Sequence, residues 1–374
     1  MTHAGPRRVI LAPDKFKGSL TAAEVAAALA RGIRRAAPHT DVRQLPVADG
    51  GDGTVDAFLA AGWERVPVRA LGPTGRTVDT AYAVRGDTAV IELAAVVGVV
   101  KLPGGVLDPV GASTYGLGLV IADALDRGVR DIVLGLGGSA STDGGAGMLH
   151  ALGLRIRDTR GAELSWPEIV LGRGDRVDRT GLHPALAQTR ITLASDVDNP
   201  LLGPAGAAAV YAPQKGAGPA EIATLEAALT IWAQLIGPEW ADKPGAGAAG
   251  GTGFGAMAVL GAVPRSGIDV VLDLVDFPAH LTGADLIVTG EGSLDLQSLH
   301  GKAPMGVATA ARRADIPVVA VSGRLQLTPD QWHAAGFAAA YALTDLEPDP
   351  VRCMADAANL VERIGERLAE QFTI

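Results

Sequence analysis

Between Asp131 and Met148 the chain reads DIVLGLGGSASTDGGAGM. A short apolar run empties into a loop with glycines at 135, 137, 138, 144, 145 and 147, three hydroxyls and the carboxylate of Asp143. Few folds accommodate such a stretch. Glycine accepts positive φ at little steric cost and lets successive N–H groups converge, which suits a backbone wrapped around an anion at the head of a helix. A strand-to-helix turn alone requires fewer glycines. The stretch therefore predicts a buried strand, an anion or substrate loop, and a helix.

At 374 residues the chain exceeds the roughly 250 to 300 that one hydrophobic core supports, so two domains are expected. Apolar residues make up 48% and aromatics 4%, a balance that favours close-packed helices on a parallel sheet over a β-sandwich. The formal charge of −9, with no Lys/Arg cluster, excludes a nucleic-acid footprint and still allows a locally positive anion pocket. The single cysteine, Cys353, reads as core packing. The apolar run after Arg7-Arg8 is broken at Pro13 and Asp14, too early for a signal peptide or a membrane span, so a cytoplasmic protein without a membrane partner is expected. A homodimer is compatible with the sequence, which does not fix the oligomeric state.

Strand Val9 to Ala12 leads through PDKFKGSL to a helix from about Thr21 to Arg35, with Thr21 and Glu24 placed as a capping box. Strand Val42 to Val47 ends in ADGGDGT before another helix. Val66 to Ala70, Thr77 to Val84 and Ala89 to Leu93 then follow with turns too short for helices. Parallel crossovers need about a dozen residues, so these strands are expected to be antiparallel. A helix from Thr114 to Arg127 feeds the glycine loop, and the alternating Leu154 to Arg157 comes after it. Strand Ile191 to Ala194 ends in SDVDNPLLG, a helix spans about Ala220 to Ile236, and Gly245 to Leu260 forms a second glycine-rich loop running into an apolar helix. After residue 268 the βα rhythm returns, with strands Leu286 to Thr289, Val318 to Ser322 and Ala338 to Leu343, a helix Pro304 to Arg313, and a closing helix with Met354, Ala357, Val361, Ile364 and Leu368 on one face. Two separated βα blocks are most economically one parallel sheet interrupted by an insertion. The expected fold is thus α/β with two domains: a discontinuous Rossmann- or flavodoxin-like parallel-sheet domain over 1–67 plus 269–374, and an inserted mixed α/β domain over 68–268.

Polar groups recur just past strands: Asp14, Lys15 and Lys17; Asp49 and Asp52; Ser139, Thr142 and Asp143; Asp196, Asp198 and Asn199; Glu291 and Asp295; Arg324. Open α/β sheets bind ligands beyond the carboxyl ends of their strands. Any one of these carboxylates could be a cap or turn residue, but their repetition points to a shared cleft. The seven histidines show no zinc-ligand spacing, and only His300 lies in a motif-like segment. Grouped carboxylates suit Mg²⁺ with a nucleotide instead. Gly301-Lys302 is followed by Ala303 and lacks the upstream glycine, so it fails as a Walker A loop. The run from Gly135 to Ala140 fits G-x-G-x-x-A, with Asp158 about twenty residues on, which makes an NAD-dependent dehydrogenase of a small hydroxy acid the main rival. Against it stand the extra Gly144-Gly145, which delays the helix, and the alternation at 154–157, unlike a buried parallel strand. A non-catalytic receptor for an organic acid is disfavoured by the density of carboxylates.

Taken together, the segments resemble the bacterial type I glycerate kinase family over nearly the whole chain. They are APDKFKGSLTAAEVA at 12–26, PVADGGDGT at 46–54, GLGGSASTDGGAGM at 135–148, ASDVDNPLLGPAGAA at 194–208, YAPQKGA at 211–217, the glycines of 247–255, TGEG at 289–292 and HGKAP at 300–304. The resemblance implies two α/β domains with ATP and D-glycerate in the cleft between them, and 2-phosphoglycerate as product. One departure stands out: the family usually carries arginine in GEGRID, where this chain has Ser293, so that either Arg324, Lys302 or Lys15 supplies the charge or the substrate preference differs.

Phosphoryl transfer needs positioning, charge neutralisation and a group to accept the hydroxyl proton. On this reading Asp196 is the expected proton acceptor, with Asp198 and Asn199 shaping its loop and Lys15 contacting phosphate or carboxylate. Asp49, Glu291 and Asp295 are expected at Mg²⁺ or its waters. Lys17, Ser19, Asp52, Gly137, Gly138, Ser139, Thr142, Asp143, Lys215, Gly251, Gly253, Lys302 and Arg324 are expected to contact nucleotide or substrate.

Overall fold

The computed structural model describes residues 7–165, 173–299 and 301–372; His300 and 166–172 lie outside them. The first strands are β1 (Arg8–Pro13), β2 (Asp41–Gln44), β3 (Glu64–Leu71), β4 (Thr77–Arg85), β5 (Thr88–Glu92), β6 (Asp131–Gly135) and β7 (Arg155–Arg157). They are followed by β8 (Arg176–Asp178), β9 (Arg190–Ala194), β10 (Val263–Arg265), β11 (Leu286–Leu294), β12 (Val318–Leu325) and β13 (Ala339–Ala342). The chain divides into two compact units, one made of Met1–Asp49, Asp56–Gly62 and Ser266–Ile374, the other of Gly50–Val55 and Trp63–Arg265. These seams differ from those expected at 67/68 and 268/269. Pro67 and Val68 lie inside β3, which pairs with β4 along its length from Glu64 to Leu71, and a boundary does not fall within a hydrogen-bonded strand.

The first unit holds a five-stranded sheet in the order β13-β12-β11-β1-β2, every pairing parallel. Counted within the unit this is the flavodoxin-like order 2-1-3-4-5, whose direction reverses between β1 and β11. Apolar residues fill the strands because helices cover them: Val9, Leu11, Val288, Val319 and Val321 share a core with Val25, Leu29, Ile33, Val361 and Ile364. The helix Ala22–Ala36 opens with the expected capping box, Thr21 Oγ1 accepting from Glu24 N at 3.2 Å while Thr21 N donates to Glu24 Oε2 at 2.8 Å. It packs on the closing helix Ala357–Gln371 so tightly that a Cβ on Gly32 would lie 1.9 Å from the Glu362 carbonyl oxygen. Met354 does not extend that closing face. The helix breaks at Asp356, and Met354 sits on the separate segment Pro350–Ala355, half exposed. Cys353 is buried, as expected.

The second unit carries a mixed sheet in the order β10-β9-β6-β5-β4-β3. The β3/β4 and β4/β5 pairs are antiparallel, as their short turns require, while β5/β6, β6/β9 and β9/β10 are parallel. The helix Tyr115–Asp126 makes the crossover from β5 to β6 and buries Leu117, Val120, Ile121 and Leu125 against Ile91, Ile132 and Leu134. β7 does not join this sheet; it pairs antiparallel with β8 as a two-stranded ribbon. Asp158 accepts the N–H groups of Arg160 and Ala162 in its own turn, at 2.9 and 2.8 Å. A dinucleotide-binding βαβ unit needs its second strand parallel to the first with the acidic residue at its end, so the match at 135–140 is coincidental and the dehydrogenase reading falls. Among the described residues no helix is long and apolar enough to cross a membrane.

Candidate active site

In the first unit the switch between β1 and β11 gathers charged side chains. Parallel pairing sets Ala12 opposite Thr289 and Pro13 opposite Gly290, so Asp14 and Glu291 leave the sheet side by side. Thr289 Oγ1 donates to Ala12 O at 2.8 Å and Asp14 N to Gly290 O at 2.8 Å, fixing the two strand ends together. Asp14 is 7% exposed, and its carboxyl is pushed up to about 7. Burial is the main cause and the charge of Asp49 the next, with Lys15 and its N–H opposing and Glu291 adding. Glu291 is raised as well, again by burial first and also by Asp49, against the opposing Ser298 hydroxyl and Lys302. Lys302 Nζ stands 3.5 Å from Glu291 Oε2, while Glu291 Oε1 is buried without a hydrogen-bond partner among the described residues.

Other expected residues of this unit have different surroundings. Lys15 is half-buried and Lys17 exposed. Ser19 Oγ donates to Phe16 O at 3.1 Å and closes the turn that presents them. Asp295 Oδ1 accepts from Gln297 N at 2.8 Å and Ser298 N at 3.1 Å, so this carboxylate shapes its own turn. Arg324 is exposed on β12 directly opposite Ser293 of β11, which places a guanidinium on the strand neighbouring the position where arginine is lacking. Among the described residues no group of three or more His, Cys, Asp or Glu side chains is arranged to hold a metal ion.

In the second unit the glycine loop is built against two other loops. A Cβ on Gly137 would lie 2.6 Å from Gly51 Cα, so only glycine lets the 50–55 segment cross there. Glu92, at the end of β5, holds that segment by accepting from Gly53 N and Val55 N, both at 3.1 Å. Exposed Asp52 lies on it. Gly138 is exposed with φ +72°, next to buried Ser139, whose Oγ lies 3.1 Å from Ser141 Oγ and 3.4 Å from Ala249 O. Asp143 is engaged in the fold: Oδ2 accepts from Thr114 N at 2.7 Å, Thr114 Oγ1 at 2.7 Å, Ser113 Oγ at 3.1 Å and Gly147 N at 3.2 Å, and Oδ1 from Gly145 N at 3.2 Å. It thereby ties the first turn of the helix Ala146–Ala151, whose N-cap is Gly145, to the segment before Tyr115. Thr142 Oγ1, by contrast, is buried without a hydrogen-bond partner among the described residues.

Lys215 reaches this loop from the YAPQKGA segment. It is 3% exposed, its ammonium donates to Ser141 O, and burial lowers it to about 8 against the opposing charge of Asp143. The third loop contains Ala249, Gly250 and Gly251, all left-handed with φ +53°, +69° and +86°. Gly251 and Gly253 are buried there as packing positions, a Cβ on the first meeting Leu201 at 2.7 Å and on the second Gly245 O at 2.2 Å. At the end of β9, Asp196 and Asp198 are exposed. Asn199 donates to Ala205 O at 2.8 Å and accepts from Tyr211 Oη at 2.6 Å.

Two residues carry more of the site than the sequence suggested. Asp14 was legible as a polar residue past a strand, but its burial beside Asp49 and Glu291 follows only from strand order. Glu92 had no local signal, because its partners lie some forty residues upstream.

A flavodoxin-like parallel sheet with charged groups at its switch point, joined to a second unit built from glycine loops, defines an α/β ligand-binding enzyme. Residues 9–373 match the model of the glycerate kinase family. The chain is 40% identical to the glycerate kinase of Halalkalibacterium halodurans, over 96% of this chain and 97% of the relative. It is also 40% identical to the glycerate 2-kinase of Escherichia coli K12, over 90% of each. The crystal structure of a Salmonella typhimurium LT2 protein described as a glycerate kinase 2 superposes with a TM-score of 0.86, at 40% identity and over 99% of both chains. The chain belongs to the glycerate kinase family and is an enzyme, a phosphotransferase acting on an alcohol group.

Proposed function

We propose that the enzyme transfers the terminal phosphoryl group of ATP to D-glycerate, giving 2-phosphoglycerate, with Mg²⁺ as cofactor. The observation that carries this reading is the charged group at the β1/β11 switch: Asp14, Asp49 and Glu291 with Lys302 beside them. The name of the E. coli relative supports the 2-position.

The residues present fit Mg²⁺. Magnesium takes one or two protein carboxylates and completes its shell with water and phosphate oxygens, and Glu291 Oε1 is a buried acceptor with no partner among the described residues. Glu291, Asp49 and Asp295 would hold the ion or its waters; Oδ1 of Asp295 also accepts in its own turn. The chemistry the ion would supply there is neutralisation of charge on the transferring phosphate. Lys302, which stands beside Glu291, and Lys15 would meet phosphate or the glycerate carboxylate. Asp196 accepts the proton of the attacking hydroxyl from a loop held by Asn199.

A coupled assay for Mg-ATP consumption in the presence of D-glycerate, followed by NMR of the product, tests the proposal. A phosphorus signal coupled to the C2 proton is expected. Absence of ATP-dependent turnover with glycerate, or phosphorylation at C3, would refute it.

A further inference from the structure

The segment Gly50–Val55 belongs to the second unit, although the residues on either side of it belong to the first. Its course over the sheet gives Glu92 a part in the reaction. Parallel register sets Glu92 of β5 beside Gly135 of β6, and Gly135 beside Ala194 of β9, as the last paired row at the carboxyl ends of these strands. The segment runs along that row. A Cβ on Gly50 would lie 2.6 Å from Ala194 O, one on Gly135 would lie 2.5 Å from Gly50 O, and one on Gly137 2.6 Å from Gly51 Cα. Past Asp52 the contact passes to Glu92, whose Oε1 accepts from Gly53 N and Oε2 from Val55 N, both at 3.1 Å. Thr54, fully buried between them, donates from Oγ1 to Gly51 O at 2.6 Å and closes the turn.

Glu92 is 4% exposed and stands 39 and 37 residues along the chain from these two partners. The start of a helix such as Thr54–Ala60 is ordinarily capped by a short polar side chain of its own segment. A carboxylate sent from a strand end does something else: it fixes where the segment sits on the sheet, and its two oxygens fix the orientation as well, through charge-assisted bonds. In the run Gly50-Gly51-Asp52-Gly53 only Asp52 carries a side chain beyond hydrogen. It is exposed, and the backbone is held on both sides of it, at Gly51 by the glycine loop and at Gly53 by Glu92. Open α/β sheets meet their ligands beyond this end of the strands.

We infer that Glu92 is a positioning residue for the phosphoryl transfer: its buried carboxylate anchors the 50–55 segment on the last row of the sheet so that Asp52 meets a reactant. The inference rests on the kinase reading. Glu92 itself touches no reactant and acts through Asp52.

A double-mutant cycle tests it. Initial rates with Mg-ATP and D-glycerate are measured for wild type, Glu92→Gln, Asp52→Ala and the double variant, each checked for native circular dichroism. Glutamine keeps the shape of Glu92 but turns an amide donor toward one of the two N–H groups, so Glu92→Gln should lower kcat/KM by about ten-fold or more, as small misplacements of reacting groups do. Asp52→Ala should lose at least as much. In the Asp52→Ala background, Glu92→Gln should change kcat/KM by less than about two-fold, because residues that act through one another are not additive. A purely structural role would instead give losses that multiply. Should Glu92→Gln fold poorly, Thr54→Val, which removes the bond to Gly51 O and preserves shape, takes its place in the cycle with the same expectation. Multiplying losses in folded variants, or an unchanged kcat/KM in Glu92→Gln or in Asp52→Ala, overturn the positioning role and leave the kinase reading standing. Wild type that consumes no ATP with D-glycerate overturns the kinase reading and the role with it.

Discussion

Replacing Asp14 with asparagine should stabilise the protein, and by an amount that depends on pH. The carboxyl is raised from 3.8 to about 7, chiefly by burial and then by Asp49. That rise corresponds to roughly 4 kcal/mol between charged and neutral forms, at about 1.4 kcal/mol per pH unit. The sign follows from proton linkage. The folded protein holds this proton more tightly than the unfolded chain, so between the two values it binds more protons, and stability falls as pH rises. Below about pH 4 both states are protonated and the penalty is absent; above about pH 7 it is fully present. Asparagine imitates the neutral acid and can still accept from Lys15 N, as Asp14 Oδ1 does at 2.6 Å. Urea unfolding of wild type and Asp14→Asn, without added divalent cation, should give similar stabilities near about pH 4, with the variant ahead by about 2 to 4 kcal/mol at about pH 8. The lower figure allows for relaxation of the unit around the charge. Parallel stability profiles across this range would show that Asp14 does not titrate as a buried group beside Asp49, and would refute the reasoning.

Three further outcomes are expected. Asp196→Asn should lower kcat by on the order of 10² or more while leaving the circular dichroism spectrum unchanged, since it removes a proton acceptor and no core contact; an unaltered kcat excludes Asp196 from that role. Glu291→Gln should raise the Mg²⁺ concentration for half-maximal rate by about ten-fold or more, measured by titrating the metal at fixed ATP; an unchanged midpoint removes Glu291 from the cofactor. Gly250→Ala should destabilise by about 1 to 3 kcal/mol, because its φ of +69° strains any side chain and the new Cβ would meet Ser141 O at 2.1 Å; thermal unfolding measures it, and a wild-type midpoint would mean the turn yields freely.

Where the signal is local, the sequence was readable. The capping box at Thr21 and Glu24, the antiparallel run β3 to β5 and the glycine loop after β6 each follow from short-range chemistry: side-chain reach, turn length and backbone freedom. Roles that depend on distant partners were not readable. Asp143 was expected to contact ligand because it sits in a glycine loop, and its fold partners Ser113 and Thr114, some thirty residues upstream, carry no local signal. Asp295 was expected at the metal, and the use of its Oδ1 in its own turn was equally hidden. Met354 fitted the helical period, until the break at Asp356 moved it to the surface.

The sequence by itself determined that this is an α/β protein with an interrupted parallel sheet, that strands end in polar loops, and that the chain resembles the glycerate kinases, because hydrophobic periodicity, glycine placement and segment order are written along one dimension. Tertiary structure alone decided which polar residues are buried and what they face. Strand order set Asp14 beside Glu291 at the switch and brought Asp49 within electrostatic reach, and loop packing buried the Thr142 hydroxyl without a hydrogen-bond partner among the described residues. Burial and electrostatic coupling depend on distances in space, and residues 14 and 291 become neighbours only once the sheet is assembled.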